Sequence, residues 1–319
     1  MPVNNEKGFV DPLLTNVAID YSVKAKEGLV ADKIMPILGV SKPAGTFFKY
    51  SKEQSYKMTD DTFSESGEAK ELKRHGEKVA YACTSRGNKT FIDKDEERFK
   101  EGPFVRAELD FVKDIVLNIE RNREIRVRDK ILNLSGRSVS LTGTGSAKTN
   151  KWLSNGGDPF TAIQDALKAC FYRPNIMMLT EPVFDALEYH SILLEKLGEA
   201  NMIKKINEET LAKLFRVNEI IIASGKGDNS KFKKDGSVNP QLFWGNNVVF
   251  GYFDSRKDVP CSGKTFVVKY AESDGNGYVV RKWEEPKKGI LGGSEIQVGC
   301  SMEEYIISED LIYSIQDVL

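Results

Sequence analysis

Thirty consecutive residues, Phe104 to Asn133, contain neither glycine nor proline, and no other stretch limits the possible folds as strongly. A helix of that length is about 45 Å long, so the rest of the chain has to be arranged along a rod longer than a small core is wide. Phe104, Leu109, Phe111, Val112, Ile115, Val116 and Ile119 give its first half one apolar side. The second half offers only Ile125, Val127, Ile131 and Leu132 among Glu120, Arg121, Arg123, Glu124, Arg126, Arg128 and Lys130. The pattern predicts a first half lying on a core and a second half running out along a polar surface. Pairing of Glu120 with Arg123 and of Glu124 with Arg128 explains much of that charge, and arginines facing nucleic acid are the alternative.

The region before the helix has the opposite problem. Ser51 to Lys78 carries seven acidic and six basic residues and few apolar ones, too little to offset the entropy of ordering it alone. It is bracketed by strand-like runs, Thr46-Phe47-Phe48-Lys49-Tyr50 and Lys78 to Ile92, the latter with Val79, Tyr81 and Cys83 alternating. Strand, polar excursion and strand predict a two-stranded flap that is marginal by itself. Such a flap is either a mobile lid or is held by a neighbouring subunit. The first thirty-five residues read as an extended arm with short apolar touches, among them Leu13, Leu14, Val17, Ile19, Val30 and Ile34, and little core of its own.

Beyond the Ser/Thr/Gly-rich connection 135–150, helices and strands alternate. Asp158-Pro159 supplies an N-cap and a first-turn proline for a helix to about Cys170. A buried strand at 175–179 leads to a helix at 182–189 that Thr180 can cap, and a helix at 207–215 leads to a strand at 219–223. Residues 225–239 read as an exposed polar loop. Further strands are expected at 242–253, 265–270, 277–283, 295–300 and 304–308, before a final segment 312–319. The class is α+β with mixed sheets.

Little in the sequence points to catalysis. Across 319 residues, 46 Lys and Arg stand against 47 Asp and Glu, a net charge of -1 that exerts no strong overall pull on a polyanion, although a local basic face remains open. No run approaches the roughly 18 apolar residues of a membrane span, and the N-terminus lacks a basic-then-apolar signal pattern, so a soluble chain, intracellular at synthesis, is expected. Cys83, Cys170, Cys261 and Cys300 form no C-x-x-C pair, and Cys170 continues the helical series Phe160, Ile163, Leu167 as a core filler. His75 lies in a charged run, and His190 near a helix end, where it can bond a last-turn carbonyl. Gly143 to Thr149 imitates a phosphate loop but lacks its second glycine, and Asp93 to Glu97 lacks the glycine and distant glutamate of a calcium loop. No G-x-S-x-G elbow is present. No catalytic, cofactor-binding or metal site is predicted, and a soluble enzyme with the flap as a lid is the rival from another class.

The order of several short motifs resembles the major capsid proteins of tailed bacteriophages with the Hong Kong 97-like fold. They are Gly28-Leu29-Val30-Ala31-Asp32-Lys33 to Pro36, Trp152-Leu153-Ser154 with Asp158-Pro159, Arg173-Pro174-Asn175, Leu179, Val183-Phe184-Asp185-Ala186-Leu187 with His190, Glu209 to Phe215, and Val217-Asn218-Glu219-Ile220. The resemblance implies an N-terminal arm at 1–38, an extended flap (E-loop) at 39–100, a peripheral domain at 101–172 with the spine helix 104–133, an axial domain at 173–270, and a return to the peripheral domain at 271–319. It further implies hexamers and pentamers closing an icosahedral head around double-stranded DNA bound without sequence specificity, and a portal protein at one vertex. With no long charged helical prodomain in the first hundred residues, it also implies a separate scaffolding protein, the alternative being that this chain is a processed form; a decoration protein is possible. The location would be the virion, with assembly in the host cytoplasm, and no membrane or cofactor would be involved. A shell of the same fold around cargo enzymes, an encapsulin-like nanocompartment, is the nearer rival.

On this reading Phe47, Phe48, Tyr50, Val79 and Tyr81 on the flap, and Phe111, Ile115 and Ile119 on the helix, are candidate assembly or core contacts. Replacing Phe47 and Phe48 with Ser is expected to lower shell yield while leaving a folded subunit, measured by particle counts beside the circular dichroism of the dissociated protein; normal particles would refute the assignment.

Overall fold

The long helix required by the sequence runs from Ala107 to Leu132. The structure, a computed structural model, describes residues 9–24, 26, 28–50, 58, 61, 62, 67, 76–94, 107–141, 151–153, 157–197, 205–228, 238–254, 262–269 and 277–319. Residues 104–106 of the expected helix, most of the polar excursion 51–75, His75, the loop 143–149, Asp95 to Glu97 and Cys261 lie outside them.

In chain order the elements are β1 (Phe9–Val10), α1 (Pro12–Lys24), α2 (Ala31–Ile34), β2 (Ile37–Val40), β3 (Ala44–Tyr50), β4 (Gly76–Ala82), β5 (Thr84–Asp93) and the long helix α3 (Ala107–Leu132). Then come β6 (Ser138–Ser140), α4 (Pro159–Ala169), β7 (Ile176–Thr180), α5 (Glu181–Glu188), α6 (Ser191–Leu197), α7 (Glu208–Phe215), β8 (Glu219–Ala223), β9 (Lys226–Gly227) and β10 (Gln241–Leu242). The chain closes with β11 (Val248–Gly251), β12 (Gly263–Val268), β13 (Val279–Glu285), β14 (Gly293–Ile306) and β15 (Ile312–Gln316).

Two mixed sheets result. One runs β1-β13-β14-β12-β2, with β5 along the other side of β14, and only β2 with β12 is parallel. The other runs β6-β15-β11-β7-β8, parallel at β7 with β8 and at β15 with β6. Strand alternation explains why the second sheet's strands read as unbroken apolar runs: both faces are covered. Met177, Leu179, Val248 and Phe250 face α4 to α7, while Ile176, Met178, Val249 and Ile312 face the C-terminal half of α3. The N-terminal half of α3 lays Val112, Ile115, Val116 and Ile119 on the first sheet, against Val280, Ile296, Val298 and Cys300. One helix thus serves both sheets.

Local chemistry sets the smaller boundaries. Asp158 caps α4, its carboxylate accepting from the amides of Phe160 at 3.0 Å and Thr161 at 3.1 Å. Asn207 caps α7 in the same way, and α7 ends on Arg216 in the left-handed region. The Thr180 side chain makes no cap bond to α5.

Besides the missing Thr180 cap, and the expected strand run 78–92 that is split into β4 of the flap and β5 of the first sheet, the structure departs from the sequence pattern in four places. The first segment is not an extended arm: α1 starts at Asp11, whose carboxylate accepts from the Leu14 amide, and it packs on α3. Its buried stripe is Leu14, Thr15, Ala18 and Ser22, three of the four small or hydroxyl-bearing, so it left no apolar periodicity to read. The strands expected at 295–300 and 304–308 are one fourteen-residue strand. The strand expected at 242–253 is split into β10 and β11 by a turn at 243–246.

The fourth departure is the largest. The charged half of α3 does not run out along solvent. Glu124 is buried and accepts from the amides of Val30 at 3.0 Å and Ala31 at 2.9 Å and from the Trp244 indole at 2.6 Å; it does not pair with Arg128. Arg123, also buried, donates to Asp32, to the Met35 carbonyl at 3.0 Å and to Thr265 at 3.1 Å, and lies 3.6 Å from Glu120. Glu120 in turn accepts from the Tyr278 hydroxyl. Arg126 forks onto the fully buried Glu304, and Lys130 reaches Glu303 at 3.1 Å. These partners lie far away in sequence, which is why spacing alone pointed to solvent.

Burial pushes the Glu124 carboxyl up, an effect its three donors and Arg123 only partly offset. Burial also disfavours ionised Asp32, but Arg123 and Lys26 outweigh it and hold that carboxyl below its usual range. Glu124→Ala strands three buried donors, and we expect a loss of about 3–5 kcal/mol in denaturant unfolding of the dissociated subunit; a loss under about 1 kcal/mol would contradict the network. Asp32 acts with a defined sign. Its folded-state pKa lies below the unfolded value of about 3.9, so its contribution is present above that value and fades as pH falls through the folded one. Asp32→Asn should therefore be less stable near neutrality and show a shallower acid limb in the unfolding midpoint against pH; parallel curves would show that Asp32 carries no such linkage.

Candidate assembly surfaces

The flap root is built from β3 and β4, paired antiparallel with Phe47 opposite Val79 and Gly45 opposite Tyr81. The bare Gly45 leaves room for the Tyr81 ring, which a Cβ there would meet at 2.7–2.9 Å. Tyr81 stacks on Phe266 at 4.8 Å, Phe47 lies 5.3 Å from Phe266 and 6.0 Å edge-on from Tyr305, and Val79 is half-buried beside them. The Tyr305 hydroxyl accepts from the Ala82 amide at 3.0 Å, and the Lys130 ammonium sits 5.5 Å over the Tyr305 ring. The aromatic pairs thus tie the flap root to β12 and β14, and through Lys130 to α3. Phe48 and Tyr50 pair in register with Lys78 and Gly76, and their side chains lie outside the described residues.

The helix candidates are placed differently. Ile115 and Ile119 are buried under the first sheet, and Phe111 is half-buried at the edge of that cluster. The structure therefore brings Phe47, Val79 and Tyr81 together at one root and keeps the helix residues in a separate core.

Apolar side chains left uncovered on this chain mark surfaces the sequence reading did not single out. On and beside α1, Phe9, Leu13 and Val23 are exposed. At the β13–β14 turn Ile290 is 97% exposed, with Leu291 beside it, held out between Gly289 and Gly292, both in the left-handed region. An isoleucine so fully solvated at a tip costs hydration free energy unless something covers it. The signal was present in Lys287-Lys288-Gly289-Ile290-Leu291-Gly292, an apolar pair inside a glycine- and lysine-rich turn.

Burial pushes the thiols of Cys170 and Cys300 up to about 12, so neither is a thiolate near neutrality. His190 is buried between α5 and α6, where its main-chain amide donates to the Leu187 carbonyl at 3.2 Å. Among the described residues no group of three or more His, Cys, Asp or Glu is placed to hold a metal ion, and no helix is long and apolar enough to cross a membrane.

A long helix bridging two mixed sheets, with a β-flap rooted on one of them, is the Hong Kong 97-like capsid fold. A phage-related protein from Bordetella bronchiseptica RB50 superposes with a TM-score of 0.70 at 18% identity, over 98% of this chain and 99% of that one. The capsid of cyanophage P-SCSP1u gives 0.54 at 10% identity, over 89% and 86%. In sequence, the chain is 24% identical over 324 residues to the major capsid protein of Pseudomonas phage JBD67, covering 95% of this chain and 94% of that protein. No family model matches.

Proposed function

We propose that this chain is the major capsid protein of a tailed phage, a structural protein and not an enzyme, which builds the icosahedral shell of the head. The observation that carries the reading is the sequence likeness to a phage major capsid protein, 24% identical over 95% of this chain and 94% of that protein. The fold supports it independently. The encapsulin-like reading shares that fold and is less favoured, because the sequence likeness is to a phage protein.

On this reading the mechanism is burial at repeated contacts. Copies form hexamers and pentamers whose large obligate contacts would be on the order of 2,000–5,000 Å². Exposed apolar groups on α1 and at the 289–292 turn, and the flap beyond its aromatic root, are the surfaces that neighbouring copies would cover. The division into arm (1–38), flap (39–100), peripheral domain with spine helix (101–172), axial domain (173–270) and peripheral return (271–319) belongs to the same proposal. So do a portal protein, a separate scaffolding protein, a decoration protein, packaged double-stranded DNA and assembly in the host cytoplasm.

Electron microscopy of native particles tests this reading. A tailed phage head predicts DNA-filled icosahedral shells with one distinct vertex, whereas shells filled with protein cargo and lacking such a vertex would favour the nanocompartment. Within the same experiment Ile290→Asp should lower particle yield at least about tenfold while the dissociated subunit keeps its wild-type unfolding midpoint, since the side chain is almost fully exposed among the described residues. Unchanged yield would remove the turn from the assembly surfaces.

A further inference from the structure

The solvent side of α3, opposite the buried charges, forms one wall of a cleft of about 420 Å³. Arg121, Asn122 and Arg128 come from the helix, and Asp228, Asn239 and Gln241 from the β9–β10 ribbon facing it. Arg128 is fixed as part of the wall, donating to the Phe243 carbonyl at 3.0 Å and to Asp129 at 2.6 Å. The Asp228 carboxylate is engaged by the Asn239 amide at 2.7 Å. Arg121 is exposed and has no side-chain partner among the described residues.

One uncommitted guanidinium, beside Asn122, whose amide also donates to Asn118 at 3.4 Å, and across from the carboxamides of Asn239 and Gln241, is a donor-rich setting for an oxyanion, and its planar fork suits phosphate oxygens. The volume is too large for phosphate alone and matches a sugar-phosphate unit.

We propose that this cleft holds a backbone phosphate of duplex DNA, with Arg121 as the charge partner and the amides of Asn122, Asn239 and Gln241 as neutral donors. The assignment to DNA rests on the shell reading. A contact of this kind is independent of sequence and individually weak, as suits a wall from which DNA must later leave. It also reconciles a net charge of -1 with a nucleic-acid cargo, because the attraction is confined to one cleft per subunit.

Fluorescence anisotropy of a short labelled DNA duplex with dissociated subunits, across a salt series, tests the proposal. Arg121→Gln should weaken binding about three- to tenfold at low salt and reduce the salt slope by about 1. Lys168→Gln, an exposed cation on α4, should leave both unchanged. Equal binding by wild type and Arg121→Gln, or an equal loss in Lys168→Gln, overturns the cleft. Inorganic phosphate that competes as well as unlabelled duplex at equal phosphate concentration overturns the nucleic-acid assignment in favour of a small-anion site. Shell formation by wild type and Arg121→Gln, scored separately by electron microscopy, decides the shell reading without bearing on the anisotropy result.

Discussion

The carboxylate of Glu124 and the guanidinium of Arg123 are what the rest of the molecule is built around. Together they bond the backbone at Val30, Ala31 and Met35, the side chains of Asp32 and Thr265, and the Trp244 indole. Neighbouring charges on the same helix reach Tyr278 and Glu304. Burying charge is costly unless each group is satisfied, and here the satisfying groups come from the N-terminal segment, from the first sheet and from the β10–β11 turn. The helix fixes where these parts meet, because any other arrangement would leave a desolvated charge without its partner. A hydrophobic helix of the same length would bind two sheets but would specify their relative placement less sharply.

That internal framework explains why the subunit can present extensions that it does not itself complete. The aromatic root at Phe47, Tyr81, Phe266 and Tyr305 anchors the flap to a sheet already locked to α3, so strain on the flap is passed to a rigid body. Apolar groups at Leu13, Val23, Ile290 and Leu291 remain outside. A shell subunit needs this combination: a core that folds before assembly, and surfaces whose stabilisation is realised only against copies of itself.

Much of this was legible in the sequence where local chemistry decides. The glycine-free stretch gave the long helix, the Asp158-Pro159 signal gave one helix start, and Glu219–Ala223 emerged with the bounds its apolar run suggested. The strand, polar excursion, strand pattern gave the flap root. Illegible were features set by distant partners. Glu124 looks like half of an i,i+4 pair with Arg128 until Trp244 and the 30–31 amides are placed beside it. Helix α1 hid because it packs through Ala18, Thr15 and Ser22 and leaves Leu13 outside. Of the candidate contacts, the flap residues Phe47, Val79 and Tyr81 converge, whereas Ile115 and Ile119 belong to the subunit's own core. Ile290 was passed over because a two-residue apolar touch in a turn has no periodicity to detect.

Hydrogen exchange compared between dissociated subunits and assembled particles tests the central claim most directly. Amides of α3 should exchange slowly in both states, because their protection comes from within the subunit. Amides of β3 and β4 beyond the aromatic root, 48–50 and 76–78, should exchange much faster in the dissociated subunit and become protected on assembly. Equal protection of those strands in both states, or an α3 that is protected only in particles, would contradict the account.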